Sequence, residues 1–172
     1  RTRWPKDYSA ESSGAVLVAE APKEPPKDPP KDPPKEGPKP EFGPGMDLHG
    51  RDLTNAKLDG LDLSGCDLRG ANLTGASMKG TKLDNANFEG CDLSTANLAG
   101  ASFQGANLRD LKGISDVAGV DFSKADLSGA YLRGPELDAF SKATWKGATF
   151  DKRTRWPKGF DATAAGATLA AE

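Results

Sequence analysis

The sequence MDLHGRDLTNAKLDGLDLSGCDLRGANLTGASMKG, at residues 46–80, repeats a pattern of five residues, and the same period continues without a slip to Asp110. In all thirteen pentads of 46–110 the third residue is Leu, Met or Phe, and the fifth is Gly in nine of them. A period of five matches neither the 3.6 of a helix nor the 2 of a plain strand. It fits a short extended piece followed by a turn in which Gly or Asn supplies a positive φ. We therefore predict a narrow solenoid.

The pattern A-[D/N]-L-x-x resembles the pentapeptide-repeat family, and the resemblance covers residues 46–152 apart from two interruptions. It implies an all-β fold, a right-handed quadrilateral β-helix in which four pentads form one coil of 20 residues. Six further pentads lie at 120–139 and 143–152. The nineteen pentads would then form about five coils, with an axial length of ~24 Å at ~4.8 Å per coil.

The pentad phase predicts which side chains fill the core. The central residue of each pentad points inward, together with the small residue two positions before it. The predicted central core residues are Leu48, Leu53, Leu58, Leu63, Leu68, Leu73, Met78, Leu83, Phe88, Leu93, Leu98, Phe103, Leu108, Phe122, Leu127, Leu132, Leu137, Trp145 and Phe150.

Two segments interrupt the pentads. The first is LKGISDVAG at 111–119, across which the spacing from Leu108 to Phe122 is one residue short of three pentads. The second is a three-residue insertion, 140–142. We expect both to be loops that bulge from a corner of the coil, and neither carries obvious chemistry.

A second repeat joins the two ends of the chain. Residues 1–20, RTRWPKDYSAESSGAVLVAE, align without a gap with residues 153–172, RTRWPKGFDATAAGATLAAE, and 12 of 20 positions are identical. The constant offset of 152 residues favours a piece of a tandem array. Residues 153–172 would cap the open end of the coil, and residues 1–20 would be the cap of a preceding unit. The expected cap or assembly residues are Trp156, Pro157 and Phe160, with their counterparts Trp4, Pro5 and Tyr8.

The segment 21–45 predicts a linker between those units. Its part 22–40, PKEPPKDPPKDPPKEGPKP, holds nine Pro, nine charged residues and one Gly, and no side chain suited to a core. Proline favours an extended polyproline II conformation, which would span at most ~60 Å over these 19 residues. We interpret the segment as a spacer or tether; a ligand for a proline-binding domain is the alternative.

The residues that could carry chemistry have simpler interpretations. His49 is the only histidine and lies at an outward position, so no triad can be built on it. The Asp residues that precede many of the central Leu residues, such as Asp47 and Asp92, follow from the repeat and do not predict a metal site. Cys66 and Cys91 fall on small inward positions and are expected to be reduced, buried fillers. We therefore predict no enzyme, no metal and no cofactor.

Charge and hydropathy restrict the possible partners. The chain has 23 basic and 25 acidic residues and a net charge of −2, which gives no field to attract nucleic acid. No apolar run approaches the ~18 residues of a membrane span, so direct membrane insertion is not expected.

The family resemblance also raises a gyrase-binding role, in which an acidic rod imitates DNA. Residues 46–110 hold nine acidic and six basic residues, and the outward column His49, Arg69, Glu89, Arg109 mixes both signs. This does not form a continuous acidic stripe, so the role is disfavoured. We predict a structural module of a fibre, stalk or surface filament whose partners are other copies of the unit, located outside or on the surface of a bacterial cell. The alternative is a protein-binding or display module.

Overall fold

The structure is a computed structural model that describes residues 41–114, 117–132 and 137–171. Over these residues the backbone winds into a β-helix. Parallel bridges join residues that are twenty positions apart, as Asp47 is joined to Asp67 and Asp52 to Asn72. Because twenty residues are four pentads, each pentad forms one side of a coil and stacks on a pentad of the next coil. The right-handed sense and the number of coils stay predictions from the family resemblance.

The regular elements are short because one side of the coil is only one pentad long. Strand β1 (Asp92–Leu93) pairs in parallel with β2 (Gly113–Ile114), and β3 (Thr149–Phe150) pairs in parallel with β4 (Thr168–Leu169). The helix α1 (Leu137–Ser141) lies between the two strand pairs in sequence. The other pairings between coils are isolated single bridges.

Backbone hydrogen bonds join neighbouring coils in both directions. The N–H of Leu48 donates to the carbonyl of Asp67 at 2.8 Å, and the N–H of Gly50 donates to the carbonyl of Arg69 at 2.9 Å. In the other direction the N–H of Asp67 donates to the carbonyl of Met46 at 3.0 Å. Gly50 has a φ of 65°, a left-handed conformation that turns the chain into the next side and explains the preference for Gly at the fifth position.

The centre of the coil is a continuous apolar core. The predicted central residues from Leu48 to Leu132 are at most 4 % exposed, and Trp145 is 1 % exposed. The small residues two positions earlier are buried from Cys66 to Ala130, among them Ala76 and Ala86. Phe150 is half-buried and packs against this core.

Leu137 corrects the prediction at the second interruption. Its side chain is 45 % exposed, whereas Phe140 is buried at 1 % exposure. The chain forms the short helix α1 here, and the helical period replaces the period of five, so the pentad position of Leu137 no longer determines which side chain points inward. The larger aromatic ring takes the buried position and contacts Trp145. The inserted residues are therefore not simply a loop.

The first interruption is also built into the coil, which corrects the expectation of a bulging loop. Leu111, Ile114 and Val117 are all buried, so an apolar residue every third position replaces the period of five. Gly113 pairs with Asp92, and a Cβ at Gly113 would lie 3.1 Å from the Cβ of Ser94. Glycine therefore permits the close approach of this side to the previous coil.

The two interruptions change the ladder offset in opposite directions. After the first, Ser102 pairs with Asp121, an offset of 19; after the second, Asp121 pairs with Thr144, an offset of 23. The stacking of sides continues through both changes, because the bonded residues still occupy the same place in their pentads.

The coil begins before Met46. The N–H of Gly45 donates to the carbonyl of Ser64 at 2.8 Å, and the thiol of Cys66 donates to the carbonyl of Gly43 at 3.2 Å. Residues 41–45, EFGPG, therefore occupy the place of a preceding pentad, with Gly43 at its centre. The pentad pattern places this stretch in the linker 21–45, because its centre is Gly and not Leu, Met or Phe.

Candidate functional site

The C-terminal end of the coil is covered by an aromatic cluster. The ring centroid of Trp156 lies 5.2 Å from that of Trp145 and 5.5 Å from that of Phe150, both in edge-to-face geometry. Phe160 lies 5.7 Å from Trp145 and 5.6 Å from Phe140. These distances and tilts are the ones at which aromatic pairs attract each other beyond simple burial. The cluster closes the apolar core toward this end.

The cluster is the last part of an aromatic column inside the coil. Phe88 and Phe103 lie 5.3 Å apart between centroids, and Phe103 and Phe122 lie 5.4 Å apart. Trp145 stacks on Phe122 at 4.6 Å with an interplanar angle of 10°. The column therefore connects successive coils with the residues that cover the end.

The tail also extends the backbone ladder. The N–H of Arg155 donates to the carbonyl of Ala130 at 2.8 Å, and the carbonyl of Arg155 accepts the N–H of Leu132 at 2.8 Å. Further on, the N–H of Thr168 donates to the carbonyl of Ala148 at 2.7 Å. Residues 153–171 thus satisfy edge groups of the last coil while their side chains cover its core.

Two polar residues anchor the start of this tail. The hydroxyl of Thr154, buried at 7 % exposure, donates to the carbonyl of Leu127 at 3.0 Å. The guanidinium of Arg153 contacts Asp151 at 2.9 Å and Asp110 at 3.2 Å. Desolvation of the Asp151 carboxylate acts to raise its pKa, but hydrogen bonds, including those donated by backbone N–H groups and Arg153, hold that pKa well below its usual value.

The structure brings three of the six predicted cap residues together. Pro157 is buried, and Trp156 and Phe160 are half-buried with centroids 5.2 Å apart. The indole N–H of Trp156 is buried and has no hydrogen-bond partner among residues 41–114, 117–132 and 137–171. Trp4 and its neighbours Pro5 and Tyr8 lie outside the described residues.

The outward Asp and Asn side chains of the repeat stabilise their own turns. Asp52 accepts the N–H of Thr54 at 3.0 Å, and Asn72 accepts the N–H of Thr74 at 3.1 Å. The same two-residue bond recurs at Asp47, Asp62, Asp67 and Asp92. The hydroxyl and then the backbone N–H of Thr54 lower the pKa of Asp52. These carboxylates are therefore explained by turn formation and not by acid–base chemistry.

Opposite charges balance the sides of the coil. Arg69 contacts Asp67 at 2.6 Å, and its hydrogen bonds lower the pKa of that carboxyl to about 2. Asp47 is the bridge partner of Asp67, so this stack of two acids has a base beside it. Arg109 contacts Asp126 at 3.1 Å. The sides are a mixed-charge surface, as a stable solvated ladder requires.

An open cavity of about 410 Å³ lies beside the anchored start of the tail, and its lining includes Arg109, Ser128, Asp151, Lys152 and Arg153. Both arginines are already paired with carboxylates, Arg109 with Asp126 and Arg153 with Asp110 and Asp151. The cavity therefore lacks an arginine free to bind an anion.

The cysteines and the histidine do not form a reactive site. Cys66 and Cys91 are free and buried, and their thiols donate to the carbonyls of Gly43 and Leu68 at 3.2 and 3.0 Å. Burial raises the pKa of both thiols, which disfavours the reactive thiolate. His49 is exposed at an outward position.

Among the described residues, no group of three or more His, Cys, Asp and Glu side chains is arranged to hold a metal ion. The same residues include no helix of sufficient length and hydropathy to cross a membrane.

Comparison with known proteins identifies the repeat. The pentapeptide-repeat family model matches residues 52–90 and 76–110, with eight copies of the repeat. The chain is 33% identical to a pentapeptide repeat protein from the Arabidopsis thaliana thylakoid lumen, over 63% of this chain and 67% of that one, with a TM-score of 0.36. It is 27% identical to a pentapeptide repeat protein from Nostoc Pcc 7120, over 73% and 85% of the two chains, with a TM-score of 0.42.

A third solved structure is Rfr23, a pentapeptide repeat protein from the cyanobacterium Cyanothece 51142. It is 26% identical over 67% of this chain and 84% of that one, with a TM-score of 0.41. None of the curated proteins matches the chain. The eight matched repeats, their unbroken period and the 33% identity confirm the resemblance seen in the sequence, and the chain belongs to the pentapeptide-repeat family.

Proposed function

We propose that this chain is a non-enzymatic structural module of a tandem-repeat protein, a unit of an extended fibre, stalk or surface filament. The observation that carries the proposal is the recurrence of the cap sequence 153–172 at residues 1–20, with a proline-rich segment between that second copy and the coil. The same order would place a cap, a spacer and a coil in every 152 residues. Location outside or on the surface of a bacterial cell is part of the proposal.

The geometry of the described residues supports a structural role better than a chemical one. The apolar side chains of the coil fill the core, and outward residues such as Asp52 bond their own turns. The charged pairs Arg69–Asp67 and Arg109–Asp126 lie on the sides of the coil. About five coils at ~4.8 Å each would form a block of ~24 Å. A spacer of up to ~60 Å between such blocks would make an elongated chain.

The experiment is electron microscopy of a chain with three consecutive 152-residue units. Filaments with a constant axial repeat are the expected result. Separate compact particles on tethers of variable length would contradict an ordered fibre and would favour the second candidate.

The second candidate is a protein-binding or display module. It is favoured by three large apolar side chains that are exposed on the C-terminal half of the coil, namely Tyr131 at 43 %, Leu137 at 45 % and Leu169 at 49 %. Gyrase binding is not proposed, because the mixed charges of the sides do not form the acidic stripe that a DNA-like surface needs.

A further inference from the structure

We propose that residues 1–20 of one copy bind the C-terminal end of the coil of a second copy, in the place that its own residues 153–172 occupy. The inference rests on the proposed tandem assembly, in which residues 1–20 are the cap of a preceding unit, and it extends that capping from one chain to another, so that caps are exchanged between copies. It is supported because residues 1–20 and 153–172 have matching residue types at the positions where residues 153–171 contact the coil.

The residue types at the buried positions of the cap are identical in the two segments. Among residues 153–171 the buried ones are Thr154, Pro157, Ala162 and Ala167. Their counterparts are identical, namely Thr2, Pro5, Ala10 and Ala15. Trp156, which contacts Trp145 and Phe150, has its counterpart in Trp4. Every contact of these side chains with the coil end is therefore available to residues 1–20.

The differences between the segments avoid the buried positions. Eight positions differ; five of their residues in the cap are exposed, and the other three are half-buried. Phe160 is one of the half-buried positions, and Tyr8 keeps its ring while adding a hydroxyl that can reach water. The carboxylate of Asp161, which accepts the N–H of Ala164 at 3.0 Å, is replaced by Ser9, another residue that caps turns.

The backbone requirements are also met. Gly166 has a φ of 98° and recurs as Gly14. Gly159 has a φ of 88° and is replaced by Asp7, and Asp is among the residues that tolerate positive φ best after Gly and Asn. A Cβ at Gly159 would meet only Leu137, at an ordinary contact distance of 3.8 Å.

The resident cap has an advantage, because its attachment to the same chain gives it a high effective concentration. A second copy therefore gains access when the resident cap is weakened. The contact joins the segment that precedes the coil in one copy to the C-terminal end of the coil in another, and a head-to-tail contact of this kind does not close on itself in general. Oligomers of increasing length are the expected product.

The first test uses Trp156→Ala in the full chain, which removes the resident contacts with Trp145 and Phe150. We expect oligomers whose mass rises with concentration, measured by size-exclusion chromatography with light scattering. The matched control Trp4→Ala should keep the mass of the parent, and the double variant should lose the oligomers. A Trp156→Ala chain with the mass of the parent at its highest soluble concentration would overturn the proposal, as would oligomers that persist in the double variant.

A second measurement separates binding from misfolding. A synthetic peptide of residues 1–20 is added to the double variant. The Tm of the double variant is expected to rise by about 4 °C when the peptide concentration is ten times the Kd. The same peptide with Trp4→Ala should give no rise. Equal shifts with both peptides, or none with either, contradict the proposal. Where Trp156→Ala loses its β-sheet circular dichroism, Thr154→Val weakens the same cap more gently, because it removes only the hydroxyl that bonds Leu127.

The two proposals can fail separately. Peptide binding without filaments of the three-unit chain would leave cap exchange standing and remove the fibre. Filaments without peptide binding would keep the fibre and require a different joint between its units.

Discussion

Trp145→Ala is expected to be the most damaging truncation in the C-terminal half of the coil. Trp145 is 1 % exposed and is in ring contact with Phe122, Phe140, Trp156 and Phe160. It therefore joins the internal aromatic column to the cap. Its removal would leave a cavity at the place where these two parts of the molecule meet.

The magnitude follows from the packing and the hydrogen bond that the indole provides. Truncation of a buried Trp costs about 3–5 kcal/mol. The indole N–H also donates to the carbonyl of Phe140 at 2.9 Å, a bond whose net contribution is about 1 kcal/mol. These two contributions overlap, so we expect a decrease of about 4–5 kcal/mol in the free energy of unfolding. For a folded unit of about 130 residues this corresponds to a fall in Tm of about 15 °C.

The assay is equilibrium unfolding in urea, followed by far-ultraviolet circular dichroism, with Trp145→Phe as the matched control. The control keeps a ring that can stack on Phe122 and loses the hydrogen bond, so it should cost about 1–2 kcal/mol. An Ala variant that costs less than about 2 kcal/mol would refute the role of this side chain as the joint between column and cap. Equal costs for the two variants would refute the importance of the stacking.

Three further outcomes are expected. Leu73→Asp places an unpaired charge in the core and should abolish the cooperative thermal transition; a melting curve like that of the parent would disprove the pentad phase. Thr81→Val removes the hydroxyl that donates to the carbonyl of Leu58 and should cost about 1 kcal/mol in urea unfolding. Because Arg69 lowers the pKa of Asp67 from 3.8 to about 2, this pair stabilises the fold above pH 4 and loses that effect as the pH falls to 2; the Tm difference between the parent and Arg69→Ala should shrink over this range.

The sequence was sufficient to predict the inward and outward positions of most pentads. A strict period separates the two kinds of position, so that Leu, Met and Phe recur only where the core must be filled. Four pentads per coil came from the family resemblance, because a period of five does not by itself fix the number of sides. The bridge between Asp47 and Asp67 then supplies the offset of twenty directly.

The departures occur where the core is filled by another spacing. At 111–119 the apolar residues recur every third position, which the pentad pattern treats as an interruption. At the second interruption Leu137 matches the pattern, but the short helix buries Phe140 in its place. The pentad 41–45 was not predicted, because its central residue is Gly43 and carries no apolar side chain. The carbonyl of Gly43 nevertheless accepts a hydrogen bond from Cys66 of the next coil.

At the cap, Trp156, Pro157 and Phe160 could be identified as covering residues from their size and from the need to close the coil. Their partners could not be identified in the same way. The contacts with Trp145 and Phe140 depend on the three-residue insertion. Phe140 belongs to the short helix α1, which the pentad pattern does not predict, and it contacts both Trp145 and Phe160.

The positions of the partly exposed apolar side chains and of the polar groups that already have partners favour association through the ends of the coil over association through its sides. On the sides, outward carboxylates such as Asp62 bind their own turns. At the N-terminal end the inward small positions are only partly covered, since Met46 and Leu61 are half-buried whereas the equivalent Cys66 and Thr81 of the next coil are buried. Apolar side chains left partly exposed at a coil end gain more from a partner than charges already paired on a side. Copies of this unit are therefore expected to join in a line and not as a lateral sheet.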